Sequence, residues 1–189
     1  MINIKNVVNW GWVAVLVIVL DQLTKYFIRE KFFLGESLPT FLPIFDISYV
    51  RNYSVAAPIR WLVEFIFGAS EDIKEELRWA LALITTLVSI GIGVWLVSLK
   101  SDQKWLIVTL ALILGGAIGN LIDRVRLGFV VDFLDFHAAG YHFPAFNVAD
   151  SAITVGAGML IIETFMQHRL AKSNLTRASS SAAESRHVE

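Results

Sequence analysis

Four long apolar segments dominate the pattern of hydrophobic and polar positions along this chain. Residues 79–99 and 105–122 contain no charged residue, and a charged residue brackets each of them on both sides. Residues 7–27 and 149–166 are also apolar, although each carries two charged residues. Each segment is long enough to cross a hydrocarbon core of about 30 Å as an α-helix. The pattern therefore predicts four transmembrane helices, which leave both termini on one side of the membrane.

The connections between these segments are unequal in length and pattern. Residues 29–78 and 123–148 form two long connections on the same side, whereas the connection between the second and third spans is short. Apolar and polar residues alternate from position 45 to 49, which is the pattern of a half-buried strand. Residues 59–67 are largely apolar with two charges, which predicts a short helix at the level of the lipid headgroups. We therefore predict a small sheet and a surface helix beside the membrane.

Composition strengthens this picture. Of the 189 residues, 56% are hydrophobic and 17% are charged, and the mean hydropathy is +0.60, whereas soluble domains carry about 25% charged residues. The net charge of −1 gives no reason to expect a nucleic-acid partner. The absence of cysteine excludes disulfides and thiolate metal sites.

The two ends of the chain have different compositions. The first span is not followed by a small-x-small cleavage site, so we expect it to remain in the mature protein and not to act as a cleaved signal peptide. Residues 173–189 are mostly Ser, Ala and charged residues without apolar periodicity. We therefore predict an integral-membrane domain at 1–172 and a disordered polar tail at 173–189. Positive charges are distributed too evenly for charge alone to orient the chain.

Two aspartates lie in strongly apolar surroundings near the ends of these segments. Asp132 lies in an apolar stretch between the third and fourth spans, and Asp150 begins the fourth span. An aspartate at the centre of a membrane helix costs roughly 2.5 to 3.5 kcal/mol, and such residues usually perform chemistry or transport. Each also has an ordinary interpretation, because Asp132 could be a turn acid after a short strand and Asp150 could cap a helix together with Asn147.

Other polar residues near these acids also have ordinary interpretations. Asn120 and Arg124 are four residues apart and share a helix face, where the arginine could simply reach the lipid phosphates. Asp21 and Lys25 are also four apart and could pair at a helix end. No single position decides the function of the chain.

Four short motifs, taken together, resemble the signature of one protein family. The motifs are Asp21-Gln-Leu-Thr-Lys25, Gly119-Asn-Leu-Ile-Asp-Arg124, Val130-Val-Asp-Phe133 and Phe146-Asn-Val-Ala-Asp-Ser151. In this order and spacing they are similar to the motifs of bacterial lipoprotein signal peptidase, also called signal peptidase II. The resemblance covers roughly residues 7–166. It implies a mainly α-helical membrane protein with four transmembrane helices, a small extracytoplasmic β-sheet called a cradle, and a membrane-surface helix.

The resemblance also implies an activity and a location. The activity is that of an intramembrane aspartyl endopeptidase, which removes the signal peptide from diacylglyceryl-modified prolipoproteins by cleaving before the lipidated cysteine. Its partners would be lipidated prolipoprotein signal peptides and membrane lipids, and we expect a monomer. The enzyme would be a multi-pass protein of the bacterial cytoplasmic (inner) membrane. Its active site would lie on the extracytoplasmic side, and both termini would be cytoplasmic.

Roles for individual residues follow from the same resemblance. The catalytic pair would be Asp132 and Asp150. The residues that support this pair or bind substrate would be Asn52, Asn120, Arg124 and Asn147. Structural motif positions would be Asp21, Lys25 and Asp123. One motif departs from the family pattern, because Ser54 stands where glycine is usual. Since glycine permits backbone angles that serine resists, we expect this departure to affect the surface helix and its substrate contacts, and not the catalytic pair.

Two carboxylates close together have a simple chemistry. At a separation of about 4 Å and an effective dielectric of about 20 they repel by roughly 4 kcal/mol, which corresponds to about three pKa units. One proton is therefore shared by the pair near neutral pH. The ionised member would take a proton from an attacking water, and the protonated member would donate to the scissile carbonyl oxygen. This mechanism requires no metal and no cofactor.

Other functions also place acids in apolar segments. A small proton- or ion-coupled membrane transporter is the first alternative. A metalloprotease that uses Asp132 with Asp135, His137 and His142 is the second, although we favour a solvated loop for the last three residues. A purely structural membrane protein would tolerate the loss of either Asp132 or Asp150.

Overall fold

The four predicted spans are helices in the structure, which is a computed structural model. It describes residues 4–53, 71–138 and 140–185, and side chains within 9–53, 75–138 and 140–169. The helices are α1 (Ile4–Lys31), α2 (Glu71–Ser98), α3 (Lys104–Leu127) and α4 (Val148–Ser185). Each contains a stretch of 22 to 24 residues that is long and apolar enough to cross a membrane. The prediction of four spans is confirmed.

Helix α3 is the centre of the bundle and packs against the other three helices. Over its apolar stretch 56% of α3 is buried within the protein, whereas the corresponding stretch of α2 is only 11% buried. The difference shows that α2 presents most of its apolar surface to the surroundings, as a helix that contacts lipid does. Gly115 allows α3 to approach α1 closely, because a methyl group there would lie 2.8 Å from the Ala14 carbonyl oxygen.

Two sets of hydrogen bonds fix the end of α3. Gly128 has a φ of 83° and donates its backbone N–H to the Arg124 carbonyl oxygen at 3.2 Å, which is a common way for a helix to end. Arg78 of α2 donates to the carbonyl oxygens of Arg124 and Val125 at 2.9 and 3.0 Å. These bonds satisfy carbonyl groups that have no partner within the helix.

Helix α4 is longer than the sequence predicts. The predicted disordered tail begins at residue 173, but the helix continues through Ser185; residues 186–189 lie outside the described part of the chain. The physical reason lies in the composition of the segment. It contains several alanines and, after Gly158, no glycine or proline that would end a helix.

The sheet has four antiparallel strands in the order β1-β2-β3-β4. The strands are β1 (Ser37–Pro39), β2 (Phe45–Asn52), β3 (Val130–Ala138) and β4 (Tyr141–His142). Strand β2 contains the predicted alternating segment, so that prediction is confirmed. The predicted surface helix at 59–67 and the departure at Ser54 lie outside the described residues.

One face of the sheet packs onto the helix bundle. Tyr49 of β2 and Val131 and Phe133 of β3 form a buried cluster with Ile28 of α1. The register of β2 against β3 is irregular between Ile47 and Val50, and irregularities of this kind commonly redirect side chains next to a functional site. The sheet therefore holds the first residues of β3 against the ends of α1, α3 and α4.

Candidate active site

Asp132 is the third residue of β3 and lies within the strand, not in a turn after it. It is only 2% exposed, so its carboxylate depends on the hydrogen bonds that the protein supplies. Asn52 of β2 donates to Oδ2 at 2.9 Å, and Asn147 donates to Oδ1 at 2.7 Å. Each carboxylate oxygen of Asp132 therefore accepts an amide N–H.

The pKa of Asp132 is raised to about 6, mainly by burial. The nearby Asp150 also raises it, whereas the hydrogen bonds from Asn52 and Asn147 lower it because they favour the ionised form. Within the described residues no Lys or Arg lies within ion-pair distance of Asp132. A carboxyl group in this setting retains its proton to a higher pH than an aspartate in water does.

Asn147 joins Asp132 to Asp150. It precedes α4 and caps it, because its Oδ1 accepts the backbone N–H of Asp150 at 2.9 Å. Asp150 Oδ2 in turn accepts the backbone N–H of Asn147 at 3.3 Å, so the two residues form a reciprocal helix cap. The Asn147 amide nitrogen remains available and donates to Asp132. The motif is compatible with a capping role or a catalytic role, and in the structure the capping residue also contacts both acids.

Asn120 of α3 makes a second connection to the same pair. Its Nδ2 donates to Asp150 Oδ1 at 2.7 Å, while its Oδ1 accepts from Asn147 Nδ2 at 3.2 Å and from Lys25 Nζ at 3.0 Å. Because both acceptor bonds reach Oδ1, the amide group is held in one orientation. That orientation directs the Asn120 donor towards Asp150.

Lys25 is the centre of a buried ionic cluster beneath Asn120. Its Nζ lies 2.8 Å from Asp21 Oδ2 and 3.1 Å from Asp123 Oδ2, and all three residues are at most 2% exposed. The predicted pairing of Asp21 with Lys25 is confirmed. Asp21 also accepts the backbone N–H of Ala149 at 2.9 Å, and Asp123 accepts that of Val131 at 3.1 Å. The cluster thus holds the start of α4 and the start of β3.

Two members of this cluster were not singled out from the sequence. Gln22 donates to Asp123 Oδ1 at 3.0 Å and to the Gly119 carbonyl oxygen at 3.1 Å. A methyl group on Gly119 would lie 2.7 Å from Asp21 Oδ2, so the missing side chain lets Asp21 approach α3. Both residues belong to the quoted motifs, and their positions beside Asp21 and Asn120 were the signal that could have found them.

Arg124 lies beside this network and is half-buried. Its Nη1 donates a long hydrogen bond of 3.5 Å to the Asn120 carbonyl oxygen. The guanidinium is within electrostatic range of Asp150 and Asp132. It therefore supplies positive charge near both acids without forming an ion pair with either.

The residues of the metalloprotease alternative do not gather around Asp132. Asp135 and His137 lie on β3 and His142 on β4, so the predicted solvated loop is wrong. A strand alternates its faces, and Asp135 and His137 are therefore on the face opposite Asp132. His142 lies 3.1 Å from Asp135, and His137 lies 3.3 Å from Asp46. Within the described residues no three His, Asp or Glu side chains are arranged to hold a metal ion.

Comparison with known proteins gives a consistent result. Residues 13–166 match the family described as Signal peptidase (SPase) II. The lipoprotein signal peptidase of Shewanella loihica is 44% identical over 161 residues, which cover 85% of this chain and 88% of that protein. The lipoprotein signal peptidase of Shigella boydii serotype 4 is 39% identical over 164 residues, which cover 87% and 93%. A solved structure described as a bacterial membrane enzyme is 30% identical, with a TM-score of 0.68 over 83% of this chain and 87% of that one.

Proposed function

Because the chain belongs to the signal peptidase II family, as its motifs predict, we propose that Asp132 and Asp150 are its catalytic pair. The chain is a lipoprotein signal peptidase, an aspartic peptidase of the membrane that cleaves signal peptides from prolipoproteins. The observation that carries the catalytic assignment is the bridge made by Asn147. Its side chain bonds Asp132 and its backbone N–H bonds Asp150.

The two aspartates have different surroundings, which suggest different roles. Asp132 is buried and its pKa is raised to about 6, so it is the member that holds the shared proton. Asp150 is half-buried and lies in the first turn of α4, where the helix dipole stabilises negative charge. Asp150 is therefore the member that acts as base in the first step.

The reaction proceeds through an uncharged tetrahedral diol. Water attacks the scissile carbonyl carbon and loses a proton to Asp150, while Asp132 donates its proton to the carbonyl oxygen. In the second step Asp150 donates the acquired proton to the leaving amide nitrogen, and Asp132 removes a proton from one diol hydroxyl. The C–N bond then breaks, a carboxyl group forms, and both aspartates regain their starting states.

The remaining polar residues support this pair. Asn120 holds Asp150 and Asn52 holds Asp132, which keeps both carboxylates in place as their charges exchange. Arg124 is suited to the substrate backbone, because its guanidinium lies near both acids and pairs with neither. Asp21, Lys25 and Asp123 hold the elements together and take no part in the chemistry.

The position of the pair fits a lipidated substrate. Both aspartates lie where the sheet meets the ends of the spans, so acyl chains can stay in the bilayer while the peptide enters beneath the sheet. We propose that the substrate carries a diacylglyceryl-modified cysteine and is cut just before it. The sheet and the pair would lie on the extracytoplasmic side of the inner membrane, with both termini cytoplasmic and with a monomer as the active form.

The test of the catalytic pair is cleavage of a lipidated precursor by the purified protein in detergent. Asp132→Asn and Asp150→Asn are nearly isosteric, so the fold survives while the shared proton and the base are lost. Each variant should lose activity by about 10³-fold or more, and the double variant should be little worse than either, because residues that act as one unit are not additive.

Asp135→Asn is the matched control, since Asp135 lies on the same strand but on its other face. It should keep activity within about tenfold. Normal cleavage by both Asp132→Asn and Asp150→Asn would refute the catalytic pair. Proton-coupled flux in liposomes without any cleavage would favour the transporter instead.

The orientation is tested by reporter fusions in the two kinds of connection. A fusion at Ser101, between α2 and α3, should be cytoplasmic, and a fusion at Gly140, between β3 and β4, should be extracytoplasmic. Inserting Gly-Ser linkers alone at both sites controls for damage to the fold. The reverse pattern would place the sheet in the cytoplasm and contradict the proposed orientation.

A further inference from the structure

A polar cavity of ≈ 70 Å³ lies between the last turns of α1 and α3, apart from the candidate active site. Its lining includes the exposed residues Tyr26, Arg29 and Arg126 and the buried residues Lys25 and Asp123. A single water needs only about 10 to 15 Å³ of such volume, so the cavity has room for a larger group. Asp132 and Asp150 do not line it, and the proposed catalytic chemistry makes no use of it.

The charge of this cavity comes from its two arginines. The buried Lys25 already donates to Asp21, Asp123 and Asn120, which uses all three hydrogens of its ammonium group. Arg29 and Arg126, by contrast, make no side-chain hydrogen bond and no ion pair with any residue that the structure describes. Two guanidinium groups that line one cavity and have no partner among the described residues are suited to bind the oxygens of a phosphate group.

The surroundings of the cavity favour the phosphate of a lipid over a free phosphate ion. Arg29 and Arg126 lie in the last turns of two candidate membrane spans, where basic side chains can reach the lipid headgroups. Leu23, Phe27 and Val125 are about half exposed on the same turns, at 49%, 57% and 48%, and can contact acyl chains. Tyr26 adds an amphipathic ring of the kind found at membrane interfaces. A free anion would use the arginines but not this apolar surface.

An ordinary explanation exists for each arginine alone. A basic side chain in the last turn of a helix interacts favourably with the helix dipole and can extend to the interface. That explanation requires neither a cavity nor two arginines from different helices at its edge. We propose that the cavity binds the headgroup of an anionic phospholipid, with Arg29 and Arg126 donating to its phosphate.

The test measures lipid binding to the full chain in detergent by native mass spectrometry. Phosphatidylglycerol, phosphatidylcholine and inorganic phosphate are the three probes. The parent protein should bind one phosphatidylglycerol more tightly than phosphatidylcholine. The double variant Arg29→Gln/Arg126→Gln should lose that preference, with affinity reduced by about tenfold or more, because two charge-assisted hydrogen-bonding groups are removed.

Arg169→Gln is the matched control, since Arg169 is an exposed arginine at the end of another span, on α4. It should bind phosphatidylglycerol as the parent does. Equal loss in the control and the double variant, or no loss in the double variant, would overturn the proposal. So would equal binding of phosphatidylcholine, or inorganic phosphate that displaces the bound lipid at millimolar concentration. All variants should unfold at the parent temperature without added lipid, so misfolding cannot imitate the expected result.

Discussion

Two pairs of aspartates lie on opposite sides of Asn120, and the two pairs have different kinds of partner. Asp21 and Asp123 share Lys25, and every distance to its ammonium group is 3.1 Å or less. Among the described residues, Asp132 and Asp150 accept hydrogen bonds from amide groups, those of Asn52, Asn120 and Asn147. The first pair has a permanent counter-ion and the second pair has none among the described residues.

This difference fits a structural role for the first pair and the proposed catalytic role for the second. Two buried carboxylates with a lysine between them can both remain ionised, and they are then fixed as hydrogen-bond acceptors for the backbone of α4 and β3. Two carboxylates without an ion-paired cation between them cannot both ionise easily, so the proposed catalytic pair shares a proton. The ionised pair, Asp21 and Asp123, therefore positions the elements that carry the proposed catalytic pair, Asp132 and Asp150.

Removal of the cation should give the largest effect on stability. Lys25→Met leaves Asp21 and Asp123 buried without their partner, which should lower the free energy of unfolding by about 3 to 5 kcal/mol. Denaturant unfolding in detergent micelles measures this change. Lys31→Met at the exposed end of the same helix is the control, and should change stability by no more than about 0.5 kcal/mol.

A triple variant sharpens the same comparison. Adding Asp21→Asn and Asp123→Asn to Lys25→Met removes the unpaired charges and should recover part of the lost stability. If Lys25→Met alone lowered the free energy of unfolding by less than about 1 kcal/mol, the cluster would contribute no more than an exposed ion pair does. That result would contradict its role in holding α4 and β3.

The close packing around the cluster should give a smaller effect. Gly119→Ala places a methyl group 2.7 Å from Asp21 Oδ2, so it should lower stability by about 1 to 3 kcal/mol and reduce cleavage as the cluster shifts. Gly93→Ala is the control, because nothing lies within 4 Å of the added methyl group. Alanine is the better helix former, so this variant should be neutral or slightly stabilised by thermal unfolding. Equal effects of the two substitutions would mean that Gly119 has no packing role.

The sequence predicts the fold well because its main signals are local. Apolar segments of membrane length identify the four spans, and alternation at 45–49 identifies β2. It fails for the end of α4, where a polar composition was taken for disorder although no helix breaker is present. The sequence-based prediction also fails for Asp135, His137 and His142. Their strands form because β3 pairs with β2, which is far away in sequence, and with β4, which is short.

The motifs predict the candidate site residues, but they do not predict the division of these residues into two networks. The sequence places Asp21 and Asp123 about 100 residues apart, and nothing local indicates that one lysine contacts both. The double role of Asn147 as cap and bridge also requires β3 to lie beside the start of α4. These relations depend on helix packing, which the periodicity of a single segment does not specify.

The two pairs should also respond differently to pH. Burial raises the pKa of Asp132 from its ordinary value of 3.8 to about 6, so the folded state retains a proton that the unfolded state has lost between these values. Stability should therefore fall as the pH rises from about 4 to about 6, and then level off. The alkaline limb of cleavage should begin in the same range, because loss of the shared proton removes the acid.

Infrared difference spectroscopy of the purified protein, recorded as the pH rises from about 5 to about 8, tests this account most directly. We predict one protonated carboxyl band that disappears around pH 6, that is missing in Asp132→Asn and that survives in Asp21→Asn. Cleavage by the parent enzyme should fall over the same range. A band that survives in Asp132→Asn and is missing in Asp21→Asn would place the titrating proton in the lysine cluster and contradict the division between the two pairs.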